Sequence, residues 1–236
     1  MSEKKQDSAN LPTLAILGGT GKEGRGLAMR WASVGFPVVI GSRFAEKARA
    51  TAMELNKKLG IESIRGMKND EAARVADICV LTVVHSAHQE AVDSLKGILD
   101  GKILVDATAR VDYADPKPPP PPAAARYAQD VLGERVRVVA AFQSVPAHSL
   151  KKNLGKPIDA NVLVCSDDVQ AADQVIRLAE AGGMRAFYCG PLDMGLVVEG
   201  LTALLISMNK HYGVSTASIS IVGLPDKGDE PSESPS

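Results

Sequence analysis

"LAILGGTGKEGRG", Leu14 to Gly26, decides how this chain is read. Four apolar residues stop at five glycines within the nine positions 18 to 26, and a helix-forming pattern resumes at once. Gly19-Thr20-Gly21-Lys22-Glu23-Gly24 fits G-x-G-x-x-G. The pattern is common by itself, but directly after a buried strand and at the head of a helix it is specific. Gly19 allows the tight turn, Gly21 lets backbone N–H groups approach a pyrophosphate, and Gly24 lets the helix pack close to the sheet. The unpaired donors at the helix start then face the anion.

Outward from this loop, short apolar runs alternate with helical patterns. Leu14–Leu17, Pro37–Gly41, Ile78–Val84, Lys102–Ala107 and Val136–Phe142 read as strands, nearly continuous in apolar residues as buried parallel strands are. Glu23–Ser33, Ala45–Leu59, Asn69–Ala76 and Ala87–Leu99 read as the helices between them. This rhythm predicts an α/β fold, a Rossmann-type doubly wound parallel sheet. Six prolines in the seven positions 116 to 122 interrupt it, and residues 112–122 read as an extended surface loop. After residue 148 a strand (Asn161–Cys165), a helix (Val169–Ala181), a strand (Arg185–Cys189) and a long apolar helix (Leu196–Tyr212) predict a smaller C-terminal α/β domain over 149–224. The polar stretches 1–10 and 225–236 read as disordered tails.

Composition narrows the function classes. The 236 residues are 45% hydrophobic and 23% charged, with a net charge of −1 and interspersed signs, which leaves no footprint for nucleic acid. Cys79, Cys165 and Cys189 lack ligand-like spacing and read as reduced core thiols of a cytoplasmic protein. The opening "MSEKKQDSANLP" is charged and polar, unlike a signal peptide. The richest apolar window, "LVVEGLTALLISM", reads as too short to span a membrane and is broken by Glu199 and Gly200. Because Leu196–Tyr212 is apolar on more than one face, it predicts a homodimer.

The second strand selects the dinucleotide. A NAD site places Asp or Glu about 20 residues past the loop, on the ribose diol. Here the strand ends "IGSRFAEK", so Ser42, Arg43 and, one helical turn on, Lys47 predict a cradle for a 2′-phosphate and hence NADP(H). Other chemistry is missing. Tyr113 and Lys117 have the Tyr-x-x-x-Lys spacing, but Pro116 and Pro118 forbid the helix that pair needs. His85 and His88 lack a third metal ligand nearby, and His85 reads instead as a cofactor neighbour past a strand end. With no metal site and no nucleophile–base pair, the reading favours hydride exchange with a second organic ring.

"GGTGKEGRGLAMRWASVG", "IGSRFAEKA", "GMKNDEAARVADICVLTV", "AFQSVPA", "VLVCSDD" and "CGPL…VVEGLTALLISMNK" together resemble the NADPH-dependent coenzyme F420 reductases, in order, from about Leu14 to Leu224. The resemblance implies a deazaflavin, coenzyme F420, in a cleft between the two domains and direct hydride transfer from the nicotinamide. It implies pyrophosphate on Thr20–Glu23, 2′-phosphate on Ser42, Arg43 and Lys47, and nicotinamide beside Val83, His85 and Ala109. Gln143, Ser144, Val145, Pro146 and Ala147 would form the floor where the rings meet, with Val197 and Ala217 completing the deazaflavin pocket. The sequence departs from the pattern at Val84-His85, at Gln143 and at Arg110 with the proline run, all on the acceptor side. A flavin reductase of the same fold and a non-catalytic NADP(H) sensor are the competing readings.

Overall fold

The computed structural model describes residues 11–224, so both expected tails lie outside the described residues. Six strands, β1 (Leu14–Leu17), β2 (Val38–Ser42), β3 (Ile64–Lys68), β4 (Ile78–Leu81), β5 (Ile103–Asp106) and β6 (Arg137–Ala140), form one sheet in the order β3-β2-β1-β4-β5-β6. Every pairing is parallel, and Leu14 of β1 stands opposite both Val38 and Ile78. The crossovers run one way from β1 to β2 and the other way to β4, which opens a crevice at the carboxyl ends of β1 and β4. Helices α1 (Lys22–Ser33), α2 (Ala45–Leu59), α3 (Asn69–Val75), α4 (His88–Asp93) and α5 (Ala124–Leu132) connect the strands. Every residue of β1, β2, β4 and β5 is buried, because helices cover both faces.

The chain continues through α6 (Ala147–Leu150), β7 (Val162–Val164), α7 (Val169–Ala181), β8 (Ala186–Tyr188) and α8 (Gly195–Tyr212). β7 and β8 make a two-stranded parallel sheet, joined to β6 by an antiparallel bridge between Ala140 and Cys165. The core is continuous across this junction: Val162, Val164 and Val175 belong to the same buried cluster as Ile16, Val80 and Trp31. Two side chains of α1 secure it. Trp31 Nε1 donates to the Leu178 carbonyl at 2.8 Å. Arg30, 2% exposed, donates to the carbonyls of Lys152 (2.8 Å), Gly182 (2.9 Å) and Lys156 (3.1 Å).

The expected α/β architecture is present, with local differences. β3 is absent from the sequence reading because only Ile64 of its five residues is buried. Gly66 lets this edge strand lie against α2, where any Cβ would overlap the Ala48 backbone. The run read as one helix, 87–99, is a 3-10 turn at His85–Ala87, then α4, then turns through Gly97, whose φ of +71° ends any helix. α5 also escapes the reading, since it starts directly behind the prolines. Leu192–Tyr212 requires a correction. This 21-residue segment contains an 18-residue window of mean hydropathy 1.4 and is long and apolar enough to cross a membrane, although the sequence reading took it as too short and broken by Glu199 and Gly200. In the fold, Val198, Glu199, Thr202, Ala203 and Leu205 of this helix are buried against protein, and the Glu199 carboxylate accepts three hydrogen bonds there.

Candidate functional site

The glycine loop leaves β1 at the crevice and is held from three sides. Gly18, at φ +72°, lies so close to β4 that a Cβ would meet Val83 at 2.7 Å. Its N–H donates to Asn69 Oδ1 at 3.2 Å, at the head of α3. Gly19 N–H is shared between the carbonyls of Ile16 (3.1 Å) and Gly41 (3.0 Å), tying the loop to β2. A Cβ on Gly24 would stand 2.6 Å from Gly19 Cα, so only glycine lets α1 start this close to the loop. Gly21 differs: a Cβ there would find nothing nearer than 3.8 Å, because the position faces open space. The first bond of α1 is Arg25 N–H to the Gly21 carbonyl at 3.1 Å, and no side chain caps the helix. The N–H groups of Lys22, Glu23 and Gly24 are therefore the unpaired donors of the helix start, aimed where Gly21 leaves room. The loop fits a dinucleotide pyrophosphate.

Glu23 sits half-buried in this first turn. Burial, with a smaller push from the Asp106 carboxylate, raises its carboxyl to about 8. The shift favours its protonated, neutral form, which does not repel a phosphate. Thr20 is half-buried and Lys22 exposed beside it. At the end of β2, Ser42 is buried and its hydroxyl oxygen accepts the Phe44 N–H at 3.3 Å, which shapes the corner into α2. Arg43 and Lys47 are exposed next to it, and Lys47 Nζ lies 5.0 Å from the Phe44 ring centroid. No ion pair occupies Arg43 among the described residues.

On the other side of the crevice, β4, β5 and β6 end in three connections that the structure draws together. Val83 is half-buried, and His85 is exposed at the start of the 3-10 turn. His88 turns inward: its Nε2 shares a hydrogen bond of 2.6 Å with Asp106 Oδ2, both side chains being buried. Asp106 Oδ1 accepts the Thr108 N–H at 3.0 Å, and the Asp106 carbonyl accepts Gln143 Nε2 at 2.9 Å. Ala109 lies half-buried immediately after this turn. Gln143, Ser144 and Val145 are buried, while Pro146 and Ala147 are half-buried at the head of α6. Phe142, just before them, holds φ +76° and packs edge-on to Trp31 at 5.7 Å between centroids. A bulky residue in that region stores about 1–3 kcal/mol of strain, of the sort that collects at functional sites.

Four buried polar side-chain atoms lack a hydrogen-bond partner among the described residues, and three of them lie here: Thr108 Oγ1, Gln143 Oε1 and Ser144 Oγ. Their unmet hydrogen-bonding capacity is concentrated where the connections after β5 and β6 meet. The thiols of Cys79 and Cys165 are pushed by burial up to about 12, which removes them as nucleophiles.

The structure thus gathers the loop residues 19–24, Ser42, Arg43, Lys47, Val83, His85, Ala109 and 143–147 around the carboxyl ends of the strands. Val197 stands apart: it is 54% exposed on the outward side of α8. Ala217 lies beyond that helix, its N–H donating to Asn209 Oδ1 at 3.0 Å. Sequence reasoning missed Asn69, Asp106, His88 and Glu199. The acidic residue ending the "ILVD" strand was the one available signal for Asp106.

Comparison with known proteins agrees with this geometry. Residues 13–110 match the family model described as NADP oxidoreductase, coenzyme F420-dependent. The F420-dependent NADP reductase of Methanothermobacter marburgensis is 38% identical over 226 residues, covering 90% of this chain and 99% of that protein. The F420-dependent NADP reductase of Methanocaldococcus jannaschii is 39% identical over 222 residues, covering 89% and 98%. The crystal structure of a putative F420-dependent NADP reductase from Arthrobacter sp. FB24 superposes with a TM-score of 0.74 at 24% identity over 90% of this chain and all of that one, a likeness of fold. Similar to those archaeal enzymes along nearly its whole length, the chain belongs to the F420-dependent NADP reductase family.

Proposed function

We propose that this protein transfers hydride between NADP(H) and the deazaflavin coenzyme F420. The observation that carries the reading is the near end-to-end likeness to archaeal enzymes of that name. In this reading Thr20 to Gly24 hold the pyrophosphate, and Ser42, Arg43 and Lys47 hold the 2′-phosphate. Val83, His85 and Ala109 border the nicotinamide, and Gln143 to Ala147 floor the acceptor. NADPH gives up one hydride and becomes NADP+; F420 takes the hydride at its ring carbon C5 and one proton at nitrogen, becoming F420H2. Side chains orient the rings, and none has to carry the migrating hydrogen.

Val197 and Ala217 belong to this proposal only if a second chain or a closing motion brings them to the pocket. The outward stripe of α8 supports the second chain. Val197, Leu204, Met208 and Tyr212 are each at least 41% exposed, with Leu201 half-buried between them. Spacings of three and four residues are those that two like helices bury against each other. We place this homodimer in the cytoplasm, with small-molecule cosubstrates.

The test is NADPH carrying deuterium at nicotinamide C4, mixed with the protein and either F420 or riboflavin phosphate. Deuterium should appear on the deazaflavin carbon with little washout into solvent. Solvent hydrogen at that carbon, or turnover with riboflavin phosphate alone, overturns the proposal.

A further inference from the structure

The carboxylate of Glu199 is 1% exposed, yet the hydride transfer proposed above makes no use of it. Its Oε2 accepts both the backbone N–H (2.9 Å) and the Nε–H (3.0 Å) of Arg110, and its Oε1 accepts the Ala124 N–H at 2.7 Å. Arg110 Nη2 then donates to the Pro120 carbonyl at 2.7 Å. Glu199 and Arg110 thereby join the beginning of the β5–α5 connection, its proline run and the first residue of α5. Lys210, farther along α8, donates to the Ala114 carbonyl at 2.8 Å and fixes the middle of the same connection. One turn after Glu199, the Thr202 hydroxyl reaches the Gln143 carbonyl at 3.1 Å, sharing its proton with the Val198 carbonyl at 3.1 Å. One face of α8 therefore holds both connections that carry the unpaired atoms of Thr108, Gln143 and Ser144.

We propose that Glu199, acting through Arg110, is a positioning residue that sets acceptor selectivity by holding the 107–123 connection as a stiff wall of the cleft. The inference rests on the reading that this side takes the acceptor. An ionised carboxylate out of water is costly unless its lone pairs are filled, and here a guanidinium and two backbone N–H groups fill them. Removing the Arg110 side chain leaves the buried Glu199 carboxylate with two backbone N–H groups and no counter-charge, and leaves the Pro120 carbonyl without its donor, so the wall loosens when the pair is broken. The prolines restrict the backbone of the segment, so the displacement is carried along it rather than absorbed locally. A displacement of about 1 Å at a reacting ring can cost on the order of a hundredfold in rate. The pyrophosphate and 2′-phosphate contacts, on the β1 and β2 side, lie outside this segment, which meets the dinucleotide only at Ala109 beside the nicotinamide.

Arg110→Met and Arg110→Lys in the full chain test this. Arg110→Met should raise the acceptor KM about tenfold or more, leave the NADPH KM within about twofold, and reduce discrimination between F420 and riboflavin phosphate by a similar factor. Arg110→Lys can keep the Glu199 contact but cannot reach Pro120 as well, and should fall between. Without any ligand, the amides of residues 110 and 124 should exchange hydrogen faster in Arg110→Met than in the parent. If that variant folds too poorly for kinetics, Glu199→Gln, equal in size with one acceptor fewer, should give the same split. An unchanged acceptor KM, or equal rises in both KM values, overturns the proposal. Should the parent reduce riboflavin phosphate and not F420, the hydride-acceptor reading fails, and the same split is then read on the KM for riboflavin phosphate.

Discussion

Arg43 follows the last buried residue of β2 and stands exposed, with no ion pair among the described residues to occupy its guanidinium. Its Ala variant should weaken NADPH far more than NADH, by roughly ten- to a hundredfold, the worth of a charge-assisted contact of about 1.5–3 kcal/mol. Equal losses for the two dinucleotides, measured by fluorescence titration, would refute a 2′-phosphate site. Gly21 has an extended backbone, φ −73° and ψ 174°, and open space where a side chain would go. Gly21→Val should therefore keep the parent's melting temperature and lose both dinucleotides. A large fall in melting temperature would mean that the space belongs to the fold. Glu23 gives a pH signature. Its carboxyl is raised from 4.5 to about 8, so between those values the folded chain keeps a proton that the unfolded chain has released. Folding stability consequently falls as pH rises through this window and levels off above it. Glu23→Gln carries no such proton, and its melting temperature should gain on the parent's from about pH 5 to about pH 8. Above pH 8 the parent, with a charged Glu23, should lose NADPH affinity more steeply than the variant. Parallel melting curves across the window would refute the assignment.

At the scale of elements, α1 has its amino end at the glycine loop and, through its last turn, anchors the 149–156 segment and the end of α7. Arg30→Met removes donors from the carbonyls of Lys152, Lys156 and Gly182 and should cost about 3 kcal/mol or more in urea unfolding, since hydrogen bonds to a charged group contribute about 1.5–3 kcal/mol each. A loss under about 1 kcal/mol would mean that the apolar core alone joins the two sheets. Elements written in local patterning were legible. β1, the loop and α1 could be read because burial on both faces demands an unbroken apolar run and the turn demands glycine. β3 could not, because an edge strand with one buried side chain leaves no pattern. α5 could not either: the carboxylate that bonds its first N–H lies 75 residues away on α8. The glycine loop and the Ser42–Arg43 strand end, where the dinucleotide is proposed to lie, could be located for the same local reason. The sequence also named Gln143 to Ala147, but not the way His88, Asp106, Arg110 and Glu199 tie that segment and the 107–123 connection in place, since those residues meet only through packing. Glu199 looked like an interruption in an apolar helix, when it is the reason that helix faces inward.

For the whole molecule, the stripe of Val197, Leu201, Leu204, Met208 and Tyr212 is the surface that a second chain should cover. Leu204→Glu should convert a dimer into a monomer by light scattering at micromolar concentration; a parent that is already monomeric would refute the assignment. The helix that bears this stripe has the connections after β5 and β6, where the acceptor is proposed to lie, hung from its other side. A helix of 18 residues moves as one body, so displacing it sideways shifts what hangs from both faces. Surface substitutions on the stripe touch nothing in the cleft, yet they should be felt there. Selection on assembly and selection on substrate choice would then act on one rod, and neither trait could drift through this lineage without carrying the other along.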